Sequence, residues 1–221
     1  MRILSRLLAL IAVLAPLASL AQEAVPQREY RVDSDSSLLR VLAYPDGPLR
    51  RFGHHHVISH RGLSGSVSVP ANPLESTIHL QLSVADFEVD DPDLRALEGE
   101  DFEKEVPQKD KDGTRANMLG ERQLHAEQFP SIQIRSTAIE GSLPEVNIVA
   151  TVTVKGVENT VTFPASIELT DDAFVARGER EILHSELGLE YFTAAGGALA
   201  VRDLLVFKYE ISGLRVADSE P

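Results

Sequence analysis

The chain has 221 residues, no cysteine and a formal net charge of −13 at pH 7. This acidity argues against a nucleic-acid partner and against a polybasic attachment to anionic lipid, because both depend on clustered lysine and arginine. The lack of cysteine excludes a disulfide framework and thiolate chemistry.

The N-terminal segment is predicted to be a secretory signal peptide, residues 1–21, rather than part of the fold. Met1–Arg6 is a short basic stretch, Leu7–Leu17 is apolar, and Ser19–Ala21 supplies the small residues that a signal peptidase requires. The apolar run is too short to span a bilayer comfortably, so we expect cleavage and export to the periplasm or the medium.

The rest of the chain is predicted to form one domain. We expect residues 22–29 to be a leader, residues 30–217 the folded domain and residues 218–221 a tail. A mature chain of about 200 residues is long enough to bury a substantial core without disulfides. No later segment is long and apolar enough to predict a transmembrane helix, so no stable membrane span is expected.

The first half of this domain contains alternating segments typical of β-strands. Ser37–Tyr44 is a strand candidate, and Pro45–Pro48 is a turn because proline fixes φ and glycine accepts positive φ. Ser64–Val69 alternates next, and Ser76–Val84 alternates after it. One face of this last segment is apolar and consists of Ile78, Leu80, Leu82 and Val84.

The middle of the domain changes character. Asp86–Gly113 is strongly charged and poor in β-branched residues. Pro92 begins a short predicted helix, which Gly99 interrupts. We predict a mobile loop over Pro107–Gly113 and a helix over Thr114–Gln128. The domain therefore carries one helical insertion.

The second half returns to β-character. Its alternating segments are Ser131–Glu140, Val146–Lys155, Thr160–Leu169, Phe174–Glu181 and Leu204–Val216. Together with the first half they make about eight antiparallel strand candidates, without βαβ units or internal repeats. The sequence thus predicts a mainly β fold, a barrel or a sandwich, and an eight-stranded barrel has room for one small ligand.

Four of the seven histidines cluster in one short segment. If that segment is extended, His54 and His56 share a face with Phe52. Two such imidazoles suit Zn or Cu, or a haem, with His60, His125 or a carboxylate as a further ligand. The alternative is that they are polar groups at a barrel rim, where one of them contacts a polar ligand head.

Catalysis is not predicted. The chain contains no GxSxG elbow, no HExxH, no P-loop and no GxGxxG. Its paired carboxylates, such as Asp90–Asp91 and Asp171–Asp172, fall in predicted loops or turns. We therefore expect a binding protein rather than an enzyme.

The sequence resembles the YceI-like family of secreted, lipocalin-like proteins, also called polyisoprenoid-binding, from about Tyr30 to Val216. The matching segments are Tyr30–Asp33, Phe52–Val69, Leu124–Ile132, Val152–Pro164 and Leu187–Leu204. The Val-Thr-Val-Lys-Gly-Val hairpin that begins at Val152 is the most specific of them. The chain departs from the family at Met118–Leu124, where an Arg-Asp-x-His-Leu run is usual, and in having three consecutive histidines, of which His56 is aligned with the family's single one.

This resemblance implies an eight-stranded antiparallel, lipocalin-like barrel with a short helical insertion. Its interior would hold an isoprenoid or another long-chain amphiphilic lipid, such as a quinone, without a cofactor. Each buried CH₂ contributes about 0.8 kcal/mol, so a long chain binds a dry tube without specific chemistry. Either a monomer or a homodimer fits this picture. The residues expected to contact the ligand are Phe52, His54, His56, Ile78, Leu80, Val152, Val154, Phe163, Phe207 and Tyr209.

Overall fold

A computed structural model describes residues 27–217 of the chain. The predicted signal peptide, most of the predicted leader and the predicted tail lie outside the described residues. The described part contains two α-helices, α1 (Pro92–Arg95) and α2 (Gln108–Leu119). Its strands are β1 (Arg28–Val32), β2 (Leu38–Ala43), β3 (Pro45–Asp46), β4 (His56–His60), β5 (Ser64–Val69), β6 (Thr77–Ser83), β7 (Glu88–Val89), β8 (Ser131–Ser142), β9 (Glu145–Val154), β10 (Val157–Leu169), β11 (Ala173–Leu183), β12 (Thr193–Ala194), β13 (Leu199–Val201) and β14 (Leu204–Arg215).

Eight of these strands close into an antiparallel barrel, which confirms the predicted fold class. Their order around the wall is β1, β5, β6, β8, β9, β10, β11 and β14, and β14 pairs back with β1. Strand β14 changes partner along its length: its C-terminal part pairs with β1, and its N-terminal part pairs with β2. Strands β2, β4 and β7 continue the sheet from that branch.

Alternation of side chains along each strand separates an inner from an outer face. On β9, Ala150, Val152 and Val154 are buried, whereas Thr151 and Thr153 between them are only partly buried. The β9–β10 hairpin turns through Lys155 and Gly156, both with positive φ, as a two-residue hairpin loop of type I′ requires. The Lys-Gly pair in the sequence therefore sets the register of two of the longest wall strands.

The helical insertion follows β7 and differs from its prediction. Helix α1 begins at Pro92 as expected, and the Asp91 side chain caps it. The predicted loop 107–113 is instead the first half of α2, and the predicted helix 114–128 is wrong beyond Leu119. The charged Lys-Asp-Lys-Asp run showed no apolar stripe, so it looked like a loop although such residues form exposed helices readily.

The outer face of β2, β4 and β14 is covered by this insertion. Leu94 and Phe102 pack there against Leu42, Val57 and Val206. A second, small sheet has the strand order β12–β13–β3. It lies beside the end of the barrel where β2 finishes, since β3 follows β2 in the chain after one residue. Among residues 27–217, no helix is both long enough and apolar enough to cross a membrane.

The two ends of the barrel differ in what closes them. The hairpin end carries the β8–β9 turn at residues 142–145. The lid end is the opposite one, where β2 finishes at Ala43 and β9 at Val154. Helix α2 covers the lid end, because Thr114, Asn117 and Met118 line the barrel interior, and we call it the lid helix.

Candidate ligand-binding site

The interior of the barrel is an elongated apolar cavity of about 320 Å³. On β8 its lining runs from Ile132 near the lid end to Ile139 near the hairpin end, which is about 23 Å of extended strand. Branched aliphatic residues form most of the wall, for example Ile134, Ile148 and Ile167. A narrow, long, apolar space of this kind fits a chain better than a compact ligand.

Most of the residues predicted to contact a ligand lie on this cavity. They are His56, Ile78, Leu80, Val152, Val154, Phe163, Phe207 and Tyr209. Phe52 and His54 do not line it. The shared face of Phe52, His54 and His56 required an extended chain from Phe52 onward. The chain is not extended there, because residues 50–52 form a 3₁₀ turn and β4 begins only at His56. Phe52 is consequently 64% exposed, and ligand contact at the other positions stays a prediction.

In the structure, the histidines of the cluster contact different partners. Within the described residues, no group of three or more His, Cys, Asp or Glu side chains is placed to hold a metal ion. His54 Nε2 lies 3.2 Å from Asp110 Oδ2, and His56 Nδ1 lies 2.6 Å from Asp90 Oδ2. Each imidazole thus faces its own carboxylate. His60 is buried farther along β4, with Nε2 2.9 Å from the Ser83 carbonyl oxygen.

Asp90 is the buried centre of this end of the molecule. Its carboxylate accepts hydrogen bonds from His56 Nδ1, from the Val57 N–H at 2.9 Å and from Arg95 at 2.6 Å. Burial alone raises the pKa of Asp90, but the His56 hydrogen bond and charge, the Val57 N–H and Arg95 outweigh burial and lower it below its usual value. Asp90 is therefore an ionised carboxylate inside the protein, and His56 Nδ1 carries the hydrogen that it accepts.

Arg95 connects Asp90 to the backbone of the insertion. Its guanidinium donates to the carbonyl oxygens of His55 at 2.6 Å, Phe102 at 2.8 Å and Lys104 at 2.9 Å, in addition to Asp90. Three chain segments are thereby fixed to one another at the lid end. The consequence for the site is that the His56 ring is held in one orientation beside the cavity.

The lid end of the cavity is lined by polar side chains and by two histidines, His56 and His184. Thr114 Oγ1 lies 3.3 Å from His56 Nε2. Asn117 lies one turn farther along the lid helix, and Gln123 is only 9% exposed; both line the cavity. Within the described part of the chain, the lining contains no lysine, arginine, aspartate or glutamate. Neutral donors and acceptors therefore meet at the end of an apolar tube.

The lid helix is attached through polar contacts and through Met118 and Leu119, which pack against the core but are only partly buried. Lys111 donates to the Asp90 carbonyl oxygen at 2.6 Å, and Arg115 donates to the carbonyl oxygens of Ala85 at 2.6 Å and Phe87 at 3.2 Å. A helix held this way opens at lower cost than a buried one, because water can replace each polar contact. The lid helix is therefore less firmly held than the strands of the barrel wall.

Tyr209 lines the cavity, but its hydroxyl is bonded to the barrel wall. Strands β10 and β11 pair only over Ser166–Leu169 of β10, and they separate from there toward the lid end. The Tyr209 hydroxyl donates to the Pro164 carbonyl oxygen across this gap. Burial raises the pKa of Tyr209 to about 12, so the hydroxyl keeps its proton in ordinary buffers.

The fold and cavity place the protein in the class of lipocalin-like barrels, closed antiparallel barrels around an apolar interior. The YceI-like domain model matches residues 30–212, and the chain belongs to the YceI-like family. The resemblance seen in the sequence is thereby confirmed. No curated protein matches the chain in sequence.

Two solved structures show the same fold. BcnA of Burkholderia cenocepacia is 17% identical, with a TM-score of 0.59 over 82% of this chain and 98% of BcnA. A Campylobacter jejuni YceI protein is 11% identical, with a TM-score of 0.51 over 74% of this chain and 85% of that protein. At these identities the similarity establishes the architecture and leaves the ligand to be argued from the residues of this chain.

Proposed function

We propose that the protein is exported to the periplasm or the medium and that its barrel binds one long-chain amphiphilic lipid of the isoprenoid type. We also propose that it performs no catalysis. The observation that supports this proposal is the elongated apolar cavity with a polar lid end, whose lining includes no lysine, arginine, aspartate or glutamate among the described residues. The hydrocarbon chain would occupy the tube, and the head would lie between His56, Asn117 and Gln123.

The tube favours a chain because the binding free energy comes from apolar burial. Each CH₂ removed from water contributes about 0.8 kcal/mol, so several prenyl units reach useful affinity without a single hydrogen bond. Methyl-branched lining residues such as Ile134 and Ile167 leave an irregular surface that suits a methyl-branched ligand.

The lid end favours an uncharged head, such as a quinone, a phenol or an alcohol. Burial of a diphosphate without a cationic partner costs several kcal/mol, whereas a hydroxyl or carbonyl finds neutral partners there. His56, fixed by Asp90, offers Nε2, and the amides of Asn117 and Gln123 offer both donors and acceptors. A small-molecule quinone is thus a suitable test ligand.

The order hydroxyl, imidazole, carboxylate in Thr114, His56 and Asp90 is also the order of a hydrolase triad. We assign it to holding a ligand head, since Asp90 also pairs with Arg95 as part of the structural network. The wild type and Thr114→Val should therefore hydrolyse p-nitrophenyl acyl esters no faster than buffer. Turnover that is present in the wild type and lost in Thr114→Val would refute the binding-only proposal.

The central experiment fills the cavity. Ala176 lines it on β11, so Ala176→Trp should lower the affinity for a prenyl quinone by at least about tenfold in a fluorescence titration. Ala138 is exposed on β8, and Ala138→Trp is the matched control, which should bind as the wild type does. Lipid extracts of the wild type should contain a prenyl compound. A protein that is free of lipid and takes up no prenyl ligand would contradict the proposal.

A further inference from the structure

We propose that the loop Pro48–Phe52 is a docking tip that inserts into the surface of a phospholipid bilayer. All five of its residues are exposed, including two large apolar side chains. Leu49 is 37% exposed and Phe52 is 64% exposed. Large exposed apolar side chains grouped at one tip mark interaction sites more often than scattered ones do. The inference rests on the proposed function, because it concerns how a lipid reaches the cavity.

The tip is an ordered projection. Its last three residues form a 3₁₀ turn, in which the Gly53 N–H bonds the Arg50 carbonyl oxygen at 3.0 Å. The Leu49 N–H donates to the Ala198 carbonyl oxygen at 2.8 Å. Gly47 packs against the same residue with a φ of 83°, where a side chain would collide with the Ala198 carbonyl. The backbone therefore holds Leu49 and Phe52 outward at no further ordering cost.

The tip stands at the lid end of the cavity. It belongs to the excursion between β2 and β4, whose two ends, Ala43 and His56, pair with each other and both line the cavity. His54, two residues after Phe52, contacts Asp110 of the lid helix at 3.2 Å. A surface that engages the tip consequently lies next to the lid helix.

The chemistry of the tip fits phospholipid. Arg50 and Arg51 lie between Leu49 and Phe52 and can pair with lipid phosphates, and the Arg51 guanidinium lies 4.7 Å from the centre of the Phe52 ring. A third arginine, Arg202, lies over the ring of Tyr44. Tyr44 directly precedes β3, the strand that leads into the tip. The net charge of −13 opposes attraction of the whole chain to an anionic surface. Docking is thus local, through insertion and a few arginines, and reversible.

The test is vesicle flotation of the full mature chain on phosphatidylethanolamine–phosphatidylglycerol vesicles. The wild type should float with them, and Leu49→Ser with Phe52→Ser should lower the bound fraction by about tenfold or more, as the loss of two inserted apolar side chains predicts. Arg50→Gln with Arg51→Gln should weaken it by several-fold. Leu214→Ser is the matched control, an exposed leucine (59%) at the hairpin end, and should float like the wild type.

Several outcomes overturn the inference: a wild type that does not float, a tip variant that floats as well as the wild type, or a control that loses as much. A Phe52-dependent dimer in light scattering would assign the tip to a second copy of the chain instead. Prenyl-quinone titration of the same proteins separates the two proposals. Ligand binding without flotation removes only the docking tip, and flotation without ligand binding removes only the proposed function.

Discussion

Asp90 joins β4 to α1 through one buried carboxylate, which bonds His56 and Val57 of β4 and Arg95 of α1. Replacing it with asparagine keeps the shape of the side chain and leaves the buried Arg95 guanidinium without its ion-pair partner. We expect Asp90→Asn to lose about 3 kcal/mol of unfolding free energy at pH 7 in urea denaturation. The control is Asp171→Asn, which breaks an exposed ion pair with Arg28 and should cost less than about 1 kcal/mol. Equal losses in the two variants would contradict this account.

The same residue predicts a pH dependence. The folded-state pKa of Asp90 is lowered, so its contribution is fully present above the unfolded pKa of about 3.9 and is lost as the pH falls through the folded value. The stability difference between wild type and Asp90→Asn should therefore be constant near neutral pH and shrink below about pH 4. A difference that grows on acidification would show that the carboxylate is not ionised in the fold.

Single residues could be predicted from the sequence where strand periodicity applied. Alternation placed Ile78 and Leu80 on one face of their strand and Val152 and Val154 on one face of theirs. All four residues line the cavity. The polar end could not be predicted this way. Asp90 and Thr114 come from the insertion, 34 and 58 residues from His56, and only the folded chain brings them together.

At the scale of elements, the β9–β10 hairpin depends on one glycine. Gly156 has a φ of 75°, and an added Cβ would lie 2.8 Å from a ring carbon of Phe129. Gly156→Ala should therefore lower the unfolding free energy by about 2 kcal/mol through backbone strain and overpacking, measured by thermal denaturation.

Gly113 in the lid helix provides the contrasting substitution. An added Cβ there meets nothing within 4 Å. Gly113→Ala should raise stability by roughly 0.5–1 kcal/mol, because alanine favours the helix. It should also slow amide exchange in the lid helix more than in β9. Loss of stability in this variant would mean that the lid helix is not the regular exposed helix described here.

The elements also differed in how well the sequence predicted them. The five barrel strands after residue 130 have long alternating runs and were predicted close to their observed bounds, whereas the short strands β12 and β13 were not predicted. The lid helix was displaced in the prediction because it buries no residue and so leaves no apolar period to find. The residues after it fold as turns, with the Leu124 N–H on the Met118 carbonyl oxygen and His125 at positive φ.

For the whole molecule, closure of the barrel depends on β14 serving two partners. Residues 213–215 pair with β1, and residues 206–210 pair with β2. The intervening residues 33–37 include a 3₁₀ turn, so the chain leaves the wall and rejoins it. This break resembles an ordinary strand end in the sequence. A barrel of eight strands was expected, but the candidate at Ser37–Tyr44 is β2 of the branch, and β1 stands in the wall instead. The branch that seats the insertion and its histidine cluster could not be predicted.

The last prediction concerns what the whole cavity selects. With one prenyl chain held constant, a quinone or alcohol head should bind at least about tenfold more tightly than a diphosphate head, because no lysine or arginine of the described residues lines the cavity to pair with a buried anion. Thermal shifts and titrations with the chain-matched pair measure this ratio. Asn117→Lys places one cation at the polar end of the tube and should narrow or reverse the preference, whereas Ala138→Lys on the outer wall should leave it unchanged. Tighter binding of the diphosphate by the wild type would mean that the head lies outside the lid end, and the chain would then enter the tube from the opposite direction.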